Sequence, residues 1–496
     1  METLGRPYHK REVGCKYLTI LLVCEKTIII PNFNFNISKN MSRKSDRRNF
    51  LKKSISAGVA GIAAPYIIPS KVLARPGKRI GANDKVILGA IGTGSRFGGL
   101  SPGNVGGLGS SFTSLEGVEF AATADADLGR AQSSATNLGS GVKAYQDYRQ
   151  LLDRSDIDAV IVASPDHWHA QHSIDAAKAG KDIYCEKALT LTVEEGRAMV
   201  DAVRKHQRVL QTGSQQRSWD TFHRAIMLIR NGYIGKVNRI VGVNYPGPWE
   251  NALPAQPVPD GVDWDMWMGP VEPHPYNENI KRSRSNPGWL SIKDFCGGEI
   301  CGWGAHGLDQ IQWALNMDES GPEEVWVEGK PYKPWIAKAD SPYGRFFGEK
   351  DPIIHYTYPG NIHVELSQDS EPTGGALFIG DKGQIRVGRG ILEVSDQSWL
   401  TLPLEDMEVQ IPTSENHSQN FIDCVRDRSI PLADVEIGHR SATVGHLGNI
   451  ARWVSERTGE VGVKMKWDAQ AEKFTNSEWG NHFLSRPRRE GYSLKS

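Results

Sequence analysis

Between Val86 and Lys205 short apolar runs alternate with longer mixed stretches. Residues 86–91, 118–124, 158–164 and 182–185 are runs of four to seven mostly apolar positions. Runs of that length, without polar alternation, suit strands buried on both faces. Residues 170–179 and 193–205 carry apolar positions at helical spacing, and Thr192 with Glu195 forms a capping box ahead of the second stretch. Strand and helix in turn predict a doubly wound parallel sheet, whose ligands collect at the carboxyl ends of the strands. Pro165 to His169 and the pair Glu186-Lys187 occupy such ends. Further on, GGEICGWGAHGLDQIQW (297–313) reads as a glycine-rich loop running into a helix. His306, Asp309 and Trp313 share one face of that helix, and Gly302 precedes His306 by a turn.

The first strand runs directly into Gly92-Thr93-Gly94. A strand feeding a Gly-x-Gly turn lets backbone N–H groups approach a pyrophosphate that a Cβ would block. The third glycine of the fingerprint is displaced: Phe97 stands in its place and Gly98 follows one residue late. Taken alone, the turn fits loop glycines of any parallel-sheet protein equally well. The second strand ends in Asp125, where a carboxylate accepts from a ribose diol and repels a 2′-phosphate, so NAD is expected over NADP. Thirty-three residues separate Gly92 from Asp125. The Gly/Ser-rich stretch 101–114 accounts for the excess as an inserted loop.

Composition changes the picture at the front of the chain. Residues 1–53 hold 12 Lys+Arg against 4 Asp+Glu, whereas residues 75–496 hold 45 against 54, a net charge of −9. An acidic body lacks the basic footprint of a sequence-independent nucleic-acid binder, so no nucleic-acid partner is expected. SDRRNFLKKS (45–54) puts twin arginines, Arg47 and Arg48, before a weakly apolar run (55–68) and the small-residue site Val72-Leu73-Ala74. This resembles a twin-arginine export signal (41–74), which implies the Tat translocase as partner and a periplasmic or otherwise exported location. On that reading Met41 is expected to open the natural chain, with residues 1–40 a gene-model extension. The six cysteines form no framework, and residues 83–212 and 213–470 read as two domains followed by a tail, 471–496. His167, His169 and His172 lack a carboxylate or cysteine cluster beside them, so no metal is expected there.

AIGTG, ADAD, SPDHWHA, CEKALT, GSQQRS, DWDMWMGP, WGAHGLDQIQW, FIGDKGQI and the closing NFIDCVRDRSIPLADVEIGHRSATVGHLGNIARW occur in this order over residues 83–460. In that order they resemble the glucose–fructose oxidoreductase, inositol dehydrogenase and rhizopine-catabolism family, Gfo/Idh/MocA. The resemblance implies an α/β fold: an N-terminal Rossmann domain, then an α/β domain with an open, largely antiparallel sheet through which copies form a homo-oligomer. It implies an NAD site built from Gly92, Thr93, Gly94, Arg96, Asp125, Ser164, Pro165, His169, Glu186, Lys187 and Gln215. Trp168, Arg217, Trp289 and His306 are its expected substrate contacts.

The family pairs the lysine of a Glu-Lys-Pro turn with an Asp-x-x-x-His pair. Lys187 takes the lysine place and His306 the histidine place, while Ala188 and Gly302 replace the proline and the aspartate. His306 is expected as base for the hydroxyl proton and Lys187 as stabiliser of the alkoxide. Asp309, on the same helix face, is expected to orient the imidazole in place of the missing aspartate, although in the family this Asp is more often a helix-packing residue. The glycine could equally make room for a larger substrate. The Trp-rich stretch 245–289, with Trp249, Trp264, Trp267 and Trp289, suits sugar recognition, and residues 330–350 suit a long covering or subunit-contacting loop. Three activities stand open: a sugar or polyol oxidoreductase, a glycoside-cleaving enzyme that oxidises its sugar transiently, and a non-catalytic sugar-binding protein.

Overall fold

The structure, a computed structural model, describes residues 85–98, 107–341, 351–368 and 372–495. The expected extension 1–40 and export signal 41–74 lie outside the described residues, as do parts of the inserted loop (101–106) and of the expected covering loop (342–350). Strands β1 (Val86–Ile91), β2 (Val118–Ala124), β3 (Lys143–Tyr145), β4 (Ala159–Val162), β5 (Asp182–Cys185) and β6 (Leu210–Thr212) form one parallel sheet in the order β3-β2-β1-β4-β5-β6. β4 and β5 are buried at every position, as expected of strands covered by helices on both faces. The strand order reverses between β1 and β4, which opens a crevice at their carboxyl ends.

Two boundaries differ from the sequence reading. The helix after β4 spans Asp166–Lys178 and begins directly after Pro165, four residues earlier than the apolar spacing suggests. Pro165, with φ at −61°, leads the chain straight into the first turn. His167, His169 and His172 blur the apolar period because they are themselves buried. The stretch ahead of His306 is not one helix but two, Glu299–Gly302 and Gly304–Ala314, parted at Trp303.

The second layer is a nine-stranded sheet. Its strands are β7 (Val237–Val243), β9 (Glu324–Glu328), β11 (Ile353–Tyr358), β12 (Ile362–Gln368), β13 (Ala376–Gly380), β14 (Gln384–Gly388), β15 (Ile391–Val394), β16 (Met465–Asp468) and β17 (Lys473–Phe474). They run in the order β15-β14-β13-β7-β12-β11-β9-β16-β17, antiparallel except for β7 against β12. Two short strands, β8 (Glu250–Asn251) and β10 (Ile336–Ala337), pair separately. One face of the large sheet buries Ile354, Tyr356, Tyr358, Val364 and Leu366 in a core shared with Leu447 and Ile450 of helix Val435–Thr458. Tyr356 Oη donates to the Val444 carbonyl of that helix at 3.0 Å.

Residues 471–495, the described part of the expected tail, are tied to both domains. β17 closes the sheet edge, Arg488 pairs with buried Glu195, and Tyr492 and Leu494 pack on the core of the first domain. Residues 330–341 are likewise tied down, since Tyr332 Oη donates to the Pro248 carbonyl and β10 pairs with β8.

Candidate active site

A cavity of about 420 Å³ opens at the carboxyl ends of β1, β2, β4 and β5. Gly92 has φ +81°, and a Cβ there would collide with the Ser164 backbone, so both the turn and the close approach require glycine. Gly94, Ser95 and Arg96 continue the cavity wall, and Asp125 lines it as well. Asp125 Oδ2 accepts from the Thr93 amide at 2.8 Å and Oδ1 from the Asp127 amide at 2.9 Å. Burial raises this carboxyl above its ordinary range, against the opposing Arg130 charge and the two amides. Oδ2 also accepts from Thr93 Oγ1 at 3.3 Å, whereas Oδ1 keeps a lone pair for a ribose hydroxyl, so the glycine turn and Asp125 fit a dinucleotide. Thr93 and Gln215 are absent from the cavity wall and act through neighbours. Thr93 holds Asp125, and Gln215 Nε2 donates to Glu186 Oε1 at 3.0 Å.

The wall continues through Ser164, Pro165, Asp166, His169, Glu186 and Lys187. Burial would raise the Glu186 carboxyl, but Arg96 at 2.7 Å, Lys187 and Gln215 outweigh it and hold the group below the usual range. Among the described residues the Lys187 ammonium has no ion pair and no hydrogen bond. The peptide bond joining it to Ala188 is cis.

His169 is spent on structure. Its Nδ1 lies 2.7 Å from the Ala188 carbonyl and its Nε2 2.9 Å from the Ser164 carbonyl. Two acceptors require two N–H groups, hence an imidazolium. Burial opposes that charge, but the Cys185 sulfur, Asp166 and the Ala188 carbonyl outweigh burial and push the ring up to about 10. His169 therefore ties the ends of β4 and β5 together beneath the cavity and has no ring nitrogen left for a ligand. Trp168 lines the wall with its indole stacked on His172, at 4.3 Å and 12°, and its Nε1 donating to the Trp267 carbonyl.

His306 is buried and stands outside the wall of this cavity. Burial, then the charges of Lys187, Arg389 and Arg96, hold its imidazole well below 6.5, so it is neutral near pH 7 rather than half-titrated. Among the described residues no carboxylate shifts its proton affinity. The space over Gly302 is filled instead: a Cβ there would meet Glu299 Oε2 at 2.9 Å. Glu299 is buried and takes two hydrogen bonds from Arg284, at 2.8 and 3.0 Å.

Asp309 and Arg217 require correction. Arg217 donates to both oxygens of Asp309, at 2.8 to 3.0 Å, and to Asp318 at 2.7 Å, while Ser441 Oγ donates to Asp309 at 2.7 Å. Both side chains of the Arg217–Asp309 pair are 2% exposed. The Asp309 carboxylate is saturated by these partners and does not orient His306. Arg217 has no free edge for a substrate. Trp249 and Trp264 are packing residues, stacked on Trp335 and Trp267 respectively, whereas Trp267 and Trp289 reach the cavity wall.

Three residues at the site escaped the sequence reading. Asp166 lines the cavity beside Lys187, accepts from Cys296 Sγ at 3.1 Å, and is raised above its ordinary range by burial. Its place right after Pro165, at the end of β4, was the available signal. Arg389 lies between the rings of Trp303 and Trp219, at 4.6 and 5.2 Å, with Nε donating to Gln216 Oε1. Arg284, the partner of Glu299, also lines the cavity. Neither arginine carries a local motif.

Comparison with known proteins agrees with this architecture. Residues 103–214 match the Gfo/Idh/MocA oxidoreductase family's NAD-binding Rossmann fold, and residues 228–494 match its C-terminal alpha/beta domain. An uncharacterized oxidoreductase of Rhizobium meliloti is 37% identical over 133 residues, 27% of this chain and 40% of that protein. Inositol 2-dehydrogenase 2 of Saccharopolyspora erythraea is 32% identical over 162 residues, 32% of this chain and 48% of that protein. The chain thus spans less than half the length of these two relatives. The WlbA dehydrogenase of Bordetella pertussis, solved with NADH and UDP-GlcNAcA, shares the fold at a TM-score of 0.51 and 16% identity, over 77% of this chain and 99% of that one. With its two domains matched in order over more than half its length, the chain belongs to the Gfo/Idh/MocA oxidoreductase family.

Proposed function

We propose that the protein oxidises a secondary hydroxyl of a sugar, sugar derivative or polyol, with NAD as a tightly held cofactor. The observation that carries this reading is the Lys187 ammonium, which among the described residues has no ion-pair partner, in the cavity that begins at the Gly92–Gly94 turn. Bound NAD supplies the hydride acceptor. Lys187 Nζ donates to the hydroxyl oxygen and stabilises it as it becomes an alkoxide. His306 stands outside the cavity wall but near enough to Lys187 to feel its charge; neutral at physiological pH, it offers a lone pair to which the proton is passed on. Its low proton affinity makes it a relay that passes the proton on rather than a store. Asp125, set where a ribose diol would lie, supports NAD over NADP.

One observation favours a second reading, transient sugar oxidation with cleavage of a glycosidic bond. Asp166 is a buried carboxyl, raised above its ordinary range, in the same cavity as Lys187. A carboxyl whose proton affinity is raised by burial is placed to hand a proton to a leaving group.

The twin-arginine pattern supports export of the folded, cofactor-loaded protein by the Tat translocase to the periplasm. Copies are proposed to associate through the nine-stranded sheet, which light scattering of the purified protein checks. Native mass spectrometry of the purified chain should reveal a retained dinucleotide. A panel of sugars and aryl glycosides should then give either a ketose or lactone, or a released aglycone, and Lys187→Met should slow turnover by roughly 10²-fold or more. A protein that neither retains nor binds NAD, or turnover that Lys187→Met leaves within about tenfold of wild type, overturns the proposal.

A further inference from the structure

The outer face of the nine-stranded sheet carries a cluster that the active site does not use. We infer that His355, His363 and Glu365 form a binding site for a divalent transition ion of the zinc type. The ladder register brings them together. His355 on β11 lies directly opposite Glu365 on β12, and His363 precedes Glu365 by two residues and so shares its face. One ligand atom from each of the three lies within 4.8 Å of the other two. His355 Nδ1 and His363 Nε2 are 3.0 Å apart. Two imidazole nitrogens each about 2.05 Å from a tetrahedral ion are separated by about 3.3 Å, so an ion enters with a shift of a few tenths of an ångström.

The surroundings are those of a ligand set. Trp326, the cross-strand partner of His355, stacks on both imidazoles at 5.1 and 5.9 Å and holds the two rings within 9° of parallel. Glu365 Oε1 accepts from Arg239 at 2.8 Å and from Ser367 at 2.9 Å, which orients the carboxylate and leaves Oε2 for an ion. The His355 side chain is 7% exposed, and its Nε2 has no hydrogen-bond partner but faces Glu328 Oε2 at 3.5 Å. With an ion on Nδ1, Nε2 carries the proton and points at that carboxylate, the usual outer partner of a metal-bound histidine. Two nitrogens and one oxygen select zinc, cobalt, nickel or copper over magnesium or calcium and leave a fourth position open. His363 and Glu365 are half-buried in a single copy, so an ion reaches the site from the sheet face before copies associate there.

The test uses untagged, chelator-treated full-length protein, titrated calorimetrically with zinc chloride and, separately, spectroscopically with cobalt chloride. Wild type should bind about one zinc per chain, and cobalt should develop the visible bands of a four- or five-coordinate site. His363→Gln and Glu365→Gln should each weaken binding at least tenfold. Their circular dichroism and metal-free melting should stay unchanged. His482→Ala, at an exposed histidine elsewhere, should bind as wild type. No zinc uptake, or uptake that both site variants retain, overturns the assignment. So does uptake that His482→Ala removes.

Discussion

An aspartate placed at Gly302 tests what occupies the space ahead of His306. Its Cβ would meet Glu299 Oε2 at 2.9 Å, and Glu299 cannot withdraw without breaking its two hydrogen bonds to Arg284. The new carboxylate must therefore share a buried pocket with an existing one, and Arg284 neutralises only one of them. Two like charges about 5 Å apart at an effective dielectric of about 20 repel by roughly 3 kcal/mol. With about 2.1 cal/mol/K of unfolding entropy per residue over roughly 400 residues, that cost lowers the melting midpoint by about 3–4 °C. Gly302→Ala separates the steric part from the charge. Gly302→Asp combined with Glu299→Ala moves the carboxylate along the chain and should recover most of the loss. It should also raise the proton affinity of His306, shifting the acid limb of the pH–rate profile upward. Differential scanning calorimetry on the three variants, with the rate profile of the double variant, decides the matter. A Gly302→Asp protein that melts within about 1 °C of wild type, beside a double variant that melts lower, would refute the view that Glu299 fills this space.

Lys187→Ala and His306→Ala should each slow turnover by roughly 10²- to 10⁴-fold. Dinucleotide retention, read by mass spectrometry, should persist in both. Asp125→Ser should improve NADP relative to NAD, because Arg130 and Lys281 already line the cavity and lose an opposing carboxylate. Unchanged cofactor preference in stopped-flow binding would remove Asp125 from the ribose. Asp309→Ala should destabilise the protein by about 3–5 kcal/mol, because it strips a partner from buried Arg217. The pH–rate profile of whatever remains folded should not move. For His169 the folded pKa, about 10, lies above that of the unfolded chain. Its stabilising contribution is therefore complete below about pH 6.5 and is lost as pH rises through about 10. Thermal melts between about pH 8 and 11 should decline more steeply for wild type than for His169→Gln.

What the sequence discloses about this fold depends on how far apart the interacting residues lie. β1, β4 and β5 are readable because burial on both faces leaves uninterrupted apolar runs. The cofactor turn is readable because Gly92 and Gly94 act within a few residues of their own strand. Asp125 is within reach because the backbone rises out of β2 just before it. The substrate end of the site offers no such local signal. Asp309 shares a helix face with His306, so spacing along one helix invites the two to be paired. Arg217, 92 residues earlier, takes the carboxylate instead. At Gly302 the chain departs from the family pattern, and the departure is intelligible only through Glu299, whose carboxylate fills the gap, and Arg284, which holds it there. Arg389 reaches its place between two tryptophans from the far strands of the second sheet. A motif read along the chain thus locates the cofactor, where the relevant contacts are short in sequence. The proton affinity of His306 is lowered first by burial and then by three cations, Lys187, Arg389 and Arg96, that the fold delivers from separate segments. In the proposed reaction the imidazole would therefore serve as a neutral relay, not as the half-titrated base that its ordinary pKa suggests.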